Sequence, residues 1–129
     1  MSDGAHVRTL ALVAVGGFAG ANARWGVDVA LAGVPTGLAG TLAANVVGCV
    51  LLGFLVSLDR ERVPRRVRLA VGTGFLSSFT TYSTFVVGAA TSVPTVAVGY
   101  VVATYVFGFA GVGVGRLAAG RFEGRGVSA

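Results

Sequence analysis

Long apolar stretches alternate with short charged segments along this chain of 129 residues. The longest apolar run extends from Leu69 to Gly115 and contains no charged side chain. Because a helix needs about 20 apolar residues to cross the hydrocarbon core of a bilayer, this run is long enough for two crossings. The pattern predicts an all-α membrane protein with a single transmembrane domain over residues 1–129.

Interruptions of the apolar pattern indicate where each span begins and ends. Pro35 predicts a turn after the first span, and Pro94 divides the charge-free run in two. A charged segment at residues 59–68 separates the middle spans, and the polar tail from Arg121 onwards is expected to fray. We therefore expect four transmembrane helices, at about residues 7–31, 38–58, 67–91 and 95–118.

The N-terminal segment also matches the pattern of a secretory signal peptide. Arg8 precedes an apolar stretch that ends in Ala21-Asn22-Ala23, which has the small-x-small form of a cleavage site. Cleavage there would leave three spans and would separate Arg24 from its helix. We expect this segment to be retained.

Arginine supplies all 10 basic residues, and its distribution predicts the orientation of the chain. The loops after the first and third predicted spans contain no Arg or Lys, so the positive-inside rule places both termini and the middle loop in the cytoplasm. This placement accounts for the net charge of +5 without nucleic acid as a partner. Apart from Arg24 within the first span, the other nine arginines lie before the first span, in the middle loop and near the end of the chain, at Arg8, at Arg60, Arg62, Arg65, Arg66 and Arg68, and at Arg116, Arg121 and Arg125.

The composition agrees with a helical bundle packed in a membrane. Charged residues make up 12% of the chain, whereas soluble domains carry roughly 25%. The single Cys49 lies in an apolar run, where it is expected to be a small buried residue, and it has no second cysteine for an internal disulfide. Small residues four positions apart indicate close helix contacts at Gly16 and Gly20, at Gly40, Ala44 and Gly48, and at Gly111 and Gly115.

Polar residues within predicted spans are costly there and usually face a bundle interior or an aqueous cavity. Arg24 and Asp28 lie four positions apart, so they share a helix face and can pair. They form either an interfacial pair that snorkels towards water or the mouth of an anion pathway. Asn45 either joins two helices by hydrogen bonds or presents amide donors to an anion. The residues alone leave both choices open.

The third predicted span is rich in glycines and hydroxyls, and reads GTGFLSSFTTYSTF at residues 72–85. A single hydroxyl in a helix commonly bonds back to the preceding turn, but this density predicts a break near the middle of the span. A break frees backbone carbonyls, and those of Ser77 and Thr80 could face one cation. Beyond the break Tyr82 and Phe85 share a helix face, where aromatic rings either pack or turn their positive edges towards an anion.

Three blocks of the sequence carry a family resemblance. They read GGFAGANARW at residues 16–25, GTLAANVVG at 40–48 and GFLSSFTTYSTF at 74–85, and they fall on the first three spans in order. Gly99-Tyr100 in the fourth span is a weaker match. Together these residues resemble the Fluc/CrcB family of fluoride channels, and TTYSTF after a helix break is the most specific of them.

The resemblance implies an antiparallel, dual-topology-type dimer of four-helix subunits, with two fluoride pores and a third helix broken near its centre. It also implies a structural sodium ion between the subunits, held by the backbone carbonyls of Ser77 and Thr80. The pore residues that it implies are Arg24 of the first span, Asn45 of the second, Tyr82 and Phe85 with their ring edges, the hydroxyl-bearing Thr81, Ser83 and Thr84, and Tyr100 of the fourth span.

Two positions depart from the family pattern. Ser77-Ser78 stands where the family usually has Gly-Gly, and serine adopts a positive φ less readily than glycine. We still expect the sodium site, because a carbonyl ligand does not depend on its side chain. Tyr82 stands where the family usually has a phenylalanine, so its added hydroxyl is expected to alter the conduction rate or to occlude one pore.

The one-sided arginine distribution bears on the dimer. A homodimer of opposed subunits requires one chain to insert in both orientations, which favours a weak charge bias. Since the outer loops of this chain lack Arg and Lys, we hypothesise that it inserts one way and pairs with an oppositely oriented homologue rather than with itself.

The sequence therefore predicts a multi-pass channel of the cell membrane, without enzymatic activity, that exports fluoride passively and lowers cytoplasmic fluoride. One alternative is a small multidrug-type exporter coupled to protons, for which Asp28 is the one carboxylate within the spans. The other is a non-conducting structural subunit of a heterodimeric fluoride channel, which Tyr82 and the charge bias would suit.

Overall fold

A computed structural model describes residues 2–34, 37–59 and 61–126, and every regular element within these ranges is helical. The all-α prediction is confirmed for this part of the chain. Pro35, where a turn is predicted, and Arg60 of the middle loop lie outside the described residues. The elements are α1 (Ser2–Ala30), α2 (Ala39–Ser57), α3 (Arg65–Leu69), a π-helical segment (Ala70–Leu76), α4 (Ser77–Phe79), α5 (Tyr82–Thr91) and α6 (Pro94–Gly126).

Helices α1, α2 and α6 are each long and apolar enough to cross a membrane, which makes three such helices among the described residues. Large apolar side chains on these three helices are exposed, among them Phe18 at 74%, Trp25 at 68%, Val56 at 60% and Leu117 at 64%. Exposed apolar surface on this scale would be unfavourable in water but suits contact with lipid tails. The chain is a multi-pass membrane protein.

The region of the third predicted span is a discontinuous helix. Helix α3, the π-helical segment and α4 follow one another without interruption as far as Phe79. Thr80 and Thr81 then adopt extended backbone conformations, with φ and ψ of −88° and 157° at Thr80 and of −148° and 128° at Thr81. Helix α5 begins directly afterwards at Tyr82. The predicted break is therefore present at Thr80-Thr81.

The helices pack mainly as two close sets, α2 with α6, and α1 with the π-helical segment and α4. In the first set, a Cβ on Gly115 would collide with the carbonyl oxygen of Val50. In the second, a Cβ on Gly20 would collide with the carbonyl oxygen of Phe75. Glycine is required at these crossings because the backbones themselves are in contact, which confirms the packing interpretation of the small-residue pairs.

The ends of α2 and α6 are joined by contacts that the hydropathy pattern does not predict. Helix α6 continues to Gly126, so the expectation that the tail frays from Arg121 is wrong for residues 121–126. The ring of Phe122 packs edge-on against that of Phe54 at 6.1 Å, and a Glu123 carboxylate oxygen accepts a hydrogen bond from the Asp59 amide at 2.6 Å. These contacts hold the polar last turns of α6 against the end of α2.

Arg68 has a structural role besides its place in the basic loop. Its guanidinium donates hydrogen bonds to the carbonyl oxygens of Leu55 at 2.7 Å and Leu58 at 2.9 Å. Leu55 lies in the last turn of α2 and Leu58 directly follows the helix, where the carbonyl groups have no intrahelical donors left. Arg68 thereby caps α2 and ties it to α3.

Candidate functional site

Asn45 bridges α2 and the helix break. Its Oδ1 accepts a hydrogen bond from the Thr81 amide at 2.9 Å, and its Nδ2 donates one to the Thr81 carbonyl oxygen at 3.1 Å. The N–H and the carbonyl of Thr81 are thus both hydrogen-bonded, although Thr81 lies outside any helix. The joining role of Asn45 is confirmed. Since an amide nitrogen carries two hydrogens, one of them is left for another acceptor.

A cluster of hydroxyls surrounds the start of α5. The Thr81 hydroxyl lies 3.2 Å from the Ser83 hydroxyl, donates to the Thr84 hydroxyl at 3.2 Å, and accepts from the Thr84 amide at 3.3 Å. Before the break, by contrast, the Ser77 and Thr80 hydroxyls bond back to the preceding turn, at the carbonyl oxygens of Gly72 and Leu76. Thr81, Ser83 and Thr84 instead place their hydroxyls at a helix N-terminus, where the helix dipole favours an anion.

One open groove of about 540 Å³ brings together most of the predicted site residues. Arg24 and Tyr100 do not line it, and Ser83 and Thr84 adjoin it through Thr81. Its lining combines amide, hydroxyl and aromatic groups from α2, the broken region and α6. The predicted residues in the lining are Asn45, Ser77, Thr80, Thr81, Tyr82 and Phe85, and among those that the sequence analysis missed are Cys49, Thr104 and Tyr105.

The two aromatic residues after the break are in contact but differ in exposure. Their ring centroids are 5.9 Å apart, yet Phe85 is 7% exposed and Tyr82 is 74% exposed. Phe85 is enclosed by Tyr100 at 5.3 Å and by Tyr105, which meets it edge to face at 6.3 Å. The Tyr82 ring therefore remains free to contact a ligand or a second subunit. No spacing rule relates Tyr105 to Tyr82 and Phe85, because Tyr105 lies on α6 and they lie on α5.

Arg24 belongs to a second polar cluster, formed by α1, α2 and α6. Its Nε bonds the Asp28 carboxylate at 3.0 Å, and one Nη donates to the Thr41 hydroxyl at 3.0 Å. The pairing predicted for Arg24 and Asp28 is confirmed. However, the Arg24 side chain is only 12% exposed, so it lies inside the bundle rather than snorkelling to the surface.

Two buried donors in this cluster have no hydrogen-bond partner. They are the second Nη of Arg24 and the hydroxyl of Tyr100, which lies near Arg24 and Thr41. Buried donors of this kind are costly when left unpaired, so the cluster suits an anion or a water molecule. Phe85 contacts Tyr100 and thus connects this cluster to the groove.

Thr41 is a site residue that the sequence analysis missed. It is 3% exposed and lies four residues before Asn45, on the same face of α2. This spacing could have identified Thr41 from the sequence. A threonine one helical turn before Asn45 places a second polar side chain on the same face of α2. The hydrogen bond from Arg24 could not have been predicted, since it depends on how α1 crosses α2.

The residues expected to bind a cation lie at the end of the first half-helix. Ser77 has a right-handed helical φ of −64°, so the strain considered for serine at this position does not arise. The Thr81 amide donates to Asn45 instead of continuing the helical ladder to the Ser77 carbonyl. The Ser77 carbonyl thus loses its helical donor, which is the condition for a backbone oxygen to bind a cation.

Comparison with known proteins gives a consistent result over nearly the whole chain. Residues 11–116 match the family described as CrcB-like protein, Camphor Resistance (CrcB). A protein of Haloarcula marismortui named "Fluoride-specific ion channel FluC 1" is 47% identical over 122 residues, covering 93% of this chain and 92% of the relative. A Natronomonas pharaonis protein of the same name is 51% identical over 111 residues, covering 84% and 92%. "Fluoride-specific ion channel FluC 2" of Halobacterium salinarum is 44% identical over 120 residues, covering 91% of each chain.

Proposed function

Because the chain belongs to the CrcB family, we propose that it is a fluoride-selective ion channel that lets fluoride leave the cytoplasm passively and so lowers its concentration there. Relatives named as fluoride channels cover more than nine-tenths of the chain, and they favour neither a proton-coupled exporter nor a non-conducting subunit. An ion channel is not a class of enzyme. The observation that carries the proposal is the helix break at Thr80-Thr81, bridged by Asn45 and surrounded by hydroxyls.

Fluoride is small and strongly hydrated, so a selective path must replace its water with many hydrogen-bond donors. The groove supplies the second amide hydrogen of Asn45 and the Thr81 hydroxyl, and the hydroxyls of Ser83 and Thr84 adjoin it through Thr81. Tyr82 and Phe85 add ring edges, which carry the positive part of the aromatic quadrupole. The second cluster adds the two unpaired donors of Arg24 and Tyr100 as the mouth of the path.

We assign the region at about residues 67–91 as the third of four transmembrane spans, broken at Thr80-Thr81. A broken span is tolerated at membrane depth where its freed backbone groups line a cavity or are bonded by a neighbour. The bonds from Asn45 and the groove support this assignment. The single transmembrane domain then extends over residues 1–129.

We further propose that the working channel is an antiparallel dimer. The groove is open, and Tyr82 on its wall is 74% exposed, so a second subunit would complete the path and cover the ring. A structural sodium ion would be held between the subunits by the backbone carbonyls of Ser77 and Thr80. Two observations support this role. The Thr81 amide donates to Asn45 rather than to the Ser77 carbonyl, and the backbone of Thr80 is extended. Bound there, the ion would neutralise carbonyl dipoles at the interface.

The charge bias indicates which subunits pair. Arg8 and the arginines of the middle loop and the α6 end favour one orientation, with both termini in the cytoplasm. The partner would then be an oppositely oriented homologue rather than a second copy. The choice of partner is a separate proposal from the channel function, and fluoride efflux measured with and without the homologue tests each of them.

Fluoride efflux from liposomes that contain only this protein tests the function. A fluoride electrode should record rapid efflux, and chloride efflux measured in parallel should stay at the level of protein-free liposomes. Efflux of both halides would contradict the donor-lined path. If the chain alone conducts no fluoride, the same assay is repeated with a co-expressed homologue of opposite charge bias. Efflux only from the mixture supports the heterodimer, whereas no efflux from either preparation overturns the channel.

A further inference from the structure

A second groove lies between α1 and α3, apart from the candidate ion path. It has a volume of about 380 Å³ and is lined by Arg8, Ala11, Leu12, Val15 and Arg66. The four residues of α1 are spaced as i, i+3, i+4 and i+7, so they form a single helix face. Arg66 closes the groove from α3. Two arginines from separate elements therefore share one small, mostly apolar groove.

The groove has an excess of positive charge that no described acidic side chain neutralises. No acidic residue lines it, and the one ion pair found among the described residues joins Arg24 to Asp28 elsewhere. Both Arg8 and Arg66 are exposed. The groove is therefore complementary to an anionic group.

The apolar part of the groove runs from the charged end along α1. Leu12 and Val15 are 42% and 66% exposed, although both are apolar. At a rise of 1.5 Å per residue, the distance along the helix from Arg8 to Val15 is about 10 Å. This span reaches from the headgroup level of a bilayer to the first part of its hydrocarbon core. A charged head and an apolar tail would thus meet matching surfaces.

We propose that this groove binds one anionic phospholipid, with its phosphate between Arg8 and Arg66 and an acyl chain along Leu12 and Val15. The guanidinium group matches phosphate geometry well, and arginines at a membrane surface attract anionic lipids. The proposal does not depend on the membrane side, because both arginines line the same groove whichever way the chain inserts. It is also independent of the ion path.

Native mass spectrometry of the purified full chain in neutral detergent tests this proposal. Dioleoylphosphatidylglycerol is titrated against the unmodified protein and two double variants, with dioleoylphosphatidylcholine as the zwitterionic comparison. The first variant, R8Q/R66Q, removes both groove arginines. The matched control, R62Q/R65Q, removes the same charge from the neighbouring loop and α3 without altering the groove lining. We expect R8Q/R66Q to bind the first phosphatidylglycerol roughly tenfold more weakly, and R62Q/R65Q to bind it as the unmodified protein does.

Other outcomes would overturn the site. Equal losses in the two double variants would mean general charge attraction, and no loss in either would mean that the lipid binds elsewhere. If phosphatidylcholine binds as tightly as phosphatidylglycerol, the arginines do not select the headgroup. If millimolar inorganic phosphate displaces the lipid completely, the apolar stripe contributes nothing and the lipid assignment fails. Should R8Q/R66Q not fold, the single variants R8Q and R66Q replace it, with R62Q and R65Q as their controls.

Discussion

Asn45 supports the helix break through one side chain, because its amide bonds both the N–H and the carbonyl of Thr81. Replacing it with alanine leaves both backbone groups unsatisfied, so Asn45→Ala should lower the free energy of unfolding by about 1–3 kcal/mol. Asn22→Ala is the control, because the Asn22 amide bonds only the carbonyl of Phe18 within its own helix. Thermal unfolding in detergent measures both. Equal melting temperatures for the two variants would contradict the bridging role.

Asp28 fixes the orientation of the Arg24 guanidinium from one side, and Thr41 fixes it from the other. Asp28→Asn removes the ion pair but keeps the shape of the side chain. Because Asp28 is 47% exposed, we expect little loss of stability and a fluoride efflux rate reduced by up to about fivefold. The efflux assay with Glu61→Gln, which removes an equal charge from the middle loop, is the control. A similar reduction in both variants would point to net charge rather than to the position of Arg24.

Tyr82 carries a hydroxyl where the resemblance of the sequence implies a phenylalanine, and it is 74% exposed. If the ring edge contacts fluoride, Tyr82→Phe should conduct at least as fast as the unmodified channel, and Tyr82→Ala should lose most of its fluoride efflux. Phe18→Ala is the matched control, because Phe18 is also 74% exposed but lies on α1 away from the groove. Unchanged fluoride efflux in Tyr82→Ala would mean that the Tyr82 ring does not contact fluoride in the pore.

At the scale of helices, contact between α2 and α6 depends on glycine at defined positions. A Cβ on Gly115 would collide with the carbonyl oxygen of Val50, whereas a Cβ on Gly113 meets nothing within 4 Å. Gly115→Ala should therefore destabilise the protein by about 1–3 kcal/mol through overpacking. Gly113→Ala should be neutral or stabilising, because alanine is the better helix former. Melting temperatures in detergent compare the two, and an equal loss in both would mean that α2 and α6 are not in backbone contact.

The discontinuous third region shows how far local sequence determines an element. Its glycines and hydroxyls predict a break, and the break occurs at Thr80-Thr81. The π-helical segment of residues 70–76 was not predicted, because it accompanies the backbone contact with α1 at Gly20. A π-helical turn is often found beside functional sites, and here it leads into the groove.

At the scale of the whole molecule, the arginine distribution predicts one orientation in the membrane. Cysteine-accessibility labelling in intact cells, with Ser2→Cys in a Cys49→Ala background, should label the N-terminus only after the cells are permeabilised. A cysteine engineered at Gly37, in the outer loop, provides the opposite control. Labelling of both positions in intact cells would mean that the chain inserts in both orientations, and it would favour a homodimer.

The sequence by itself determined the membrane class, the presence of a break near the middle of the third predicted span, the shared helix face of Arg24 and Asp28, and the family. These follow from hydropathy, from helix-weakening residues close together in the chain and from spacing along one helix, which are all local properties. Only the tertiary structure decided that Asn45 bonds Thr81, that Thr41 holds Arg24, and that Arg8 and Arg66 share a groove. Each of these contacts joins residues from different helices, so it depends on where the glycine crossings allow the helices to approach, and no local pattern records that geometry.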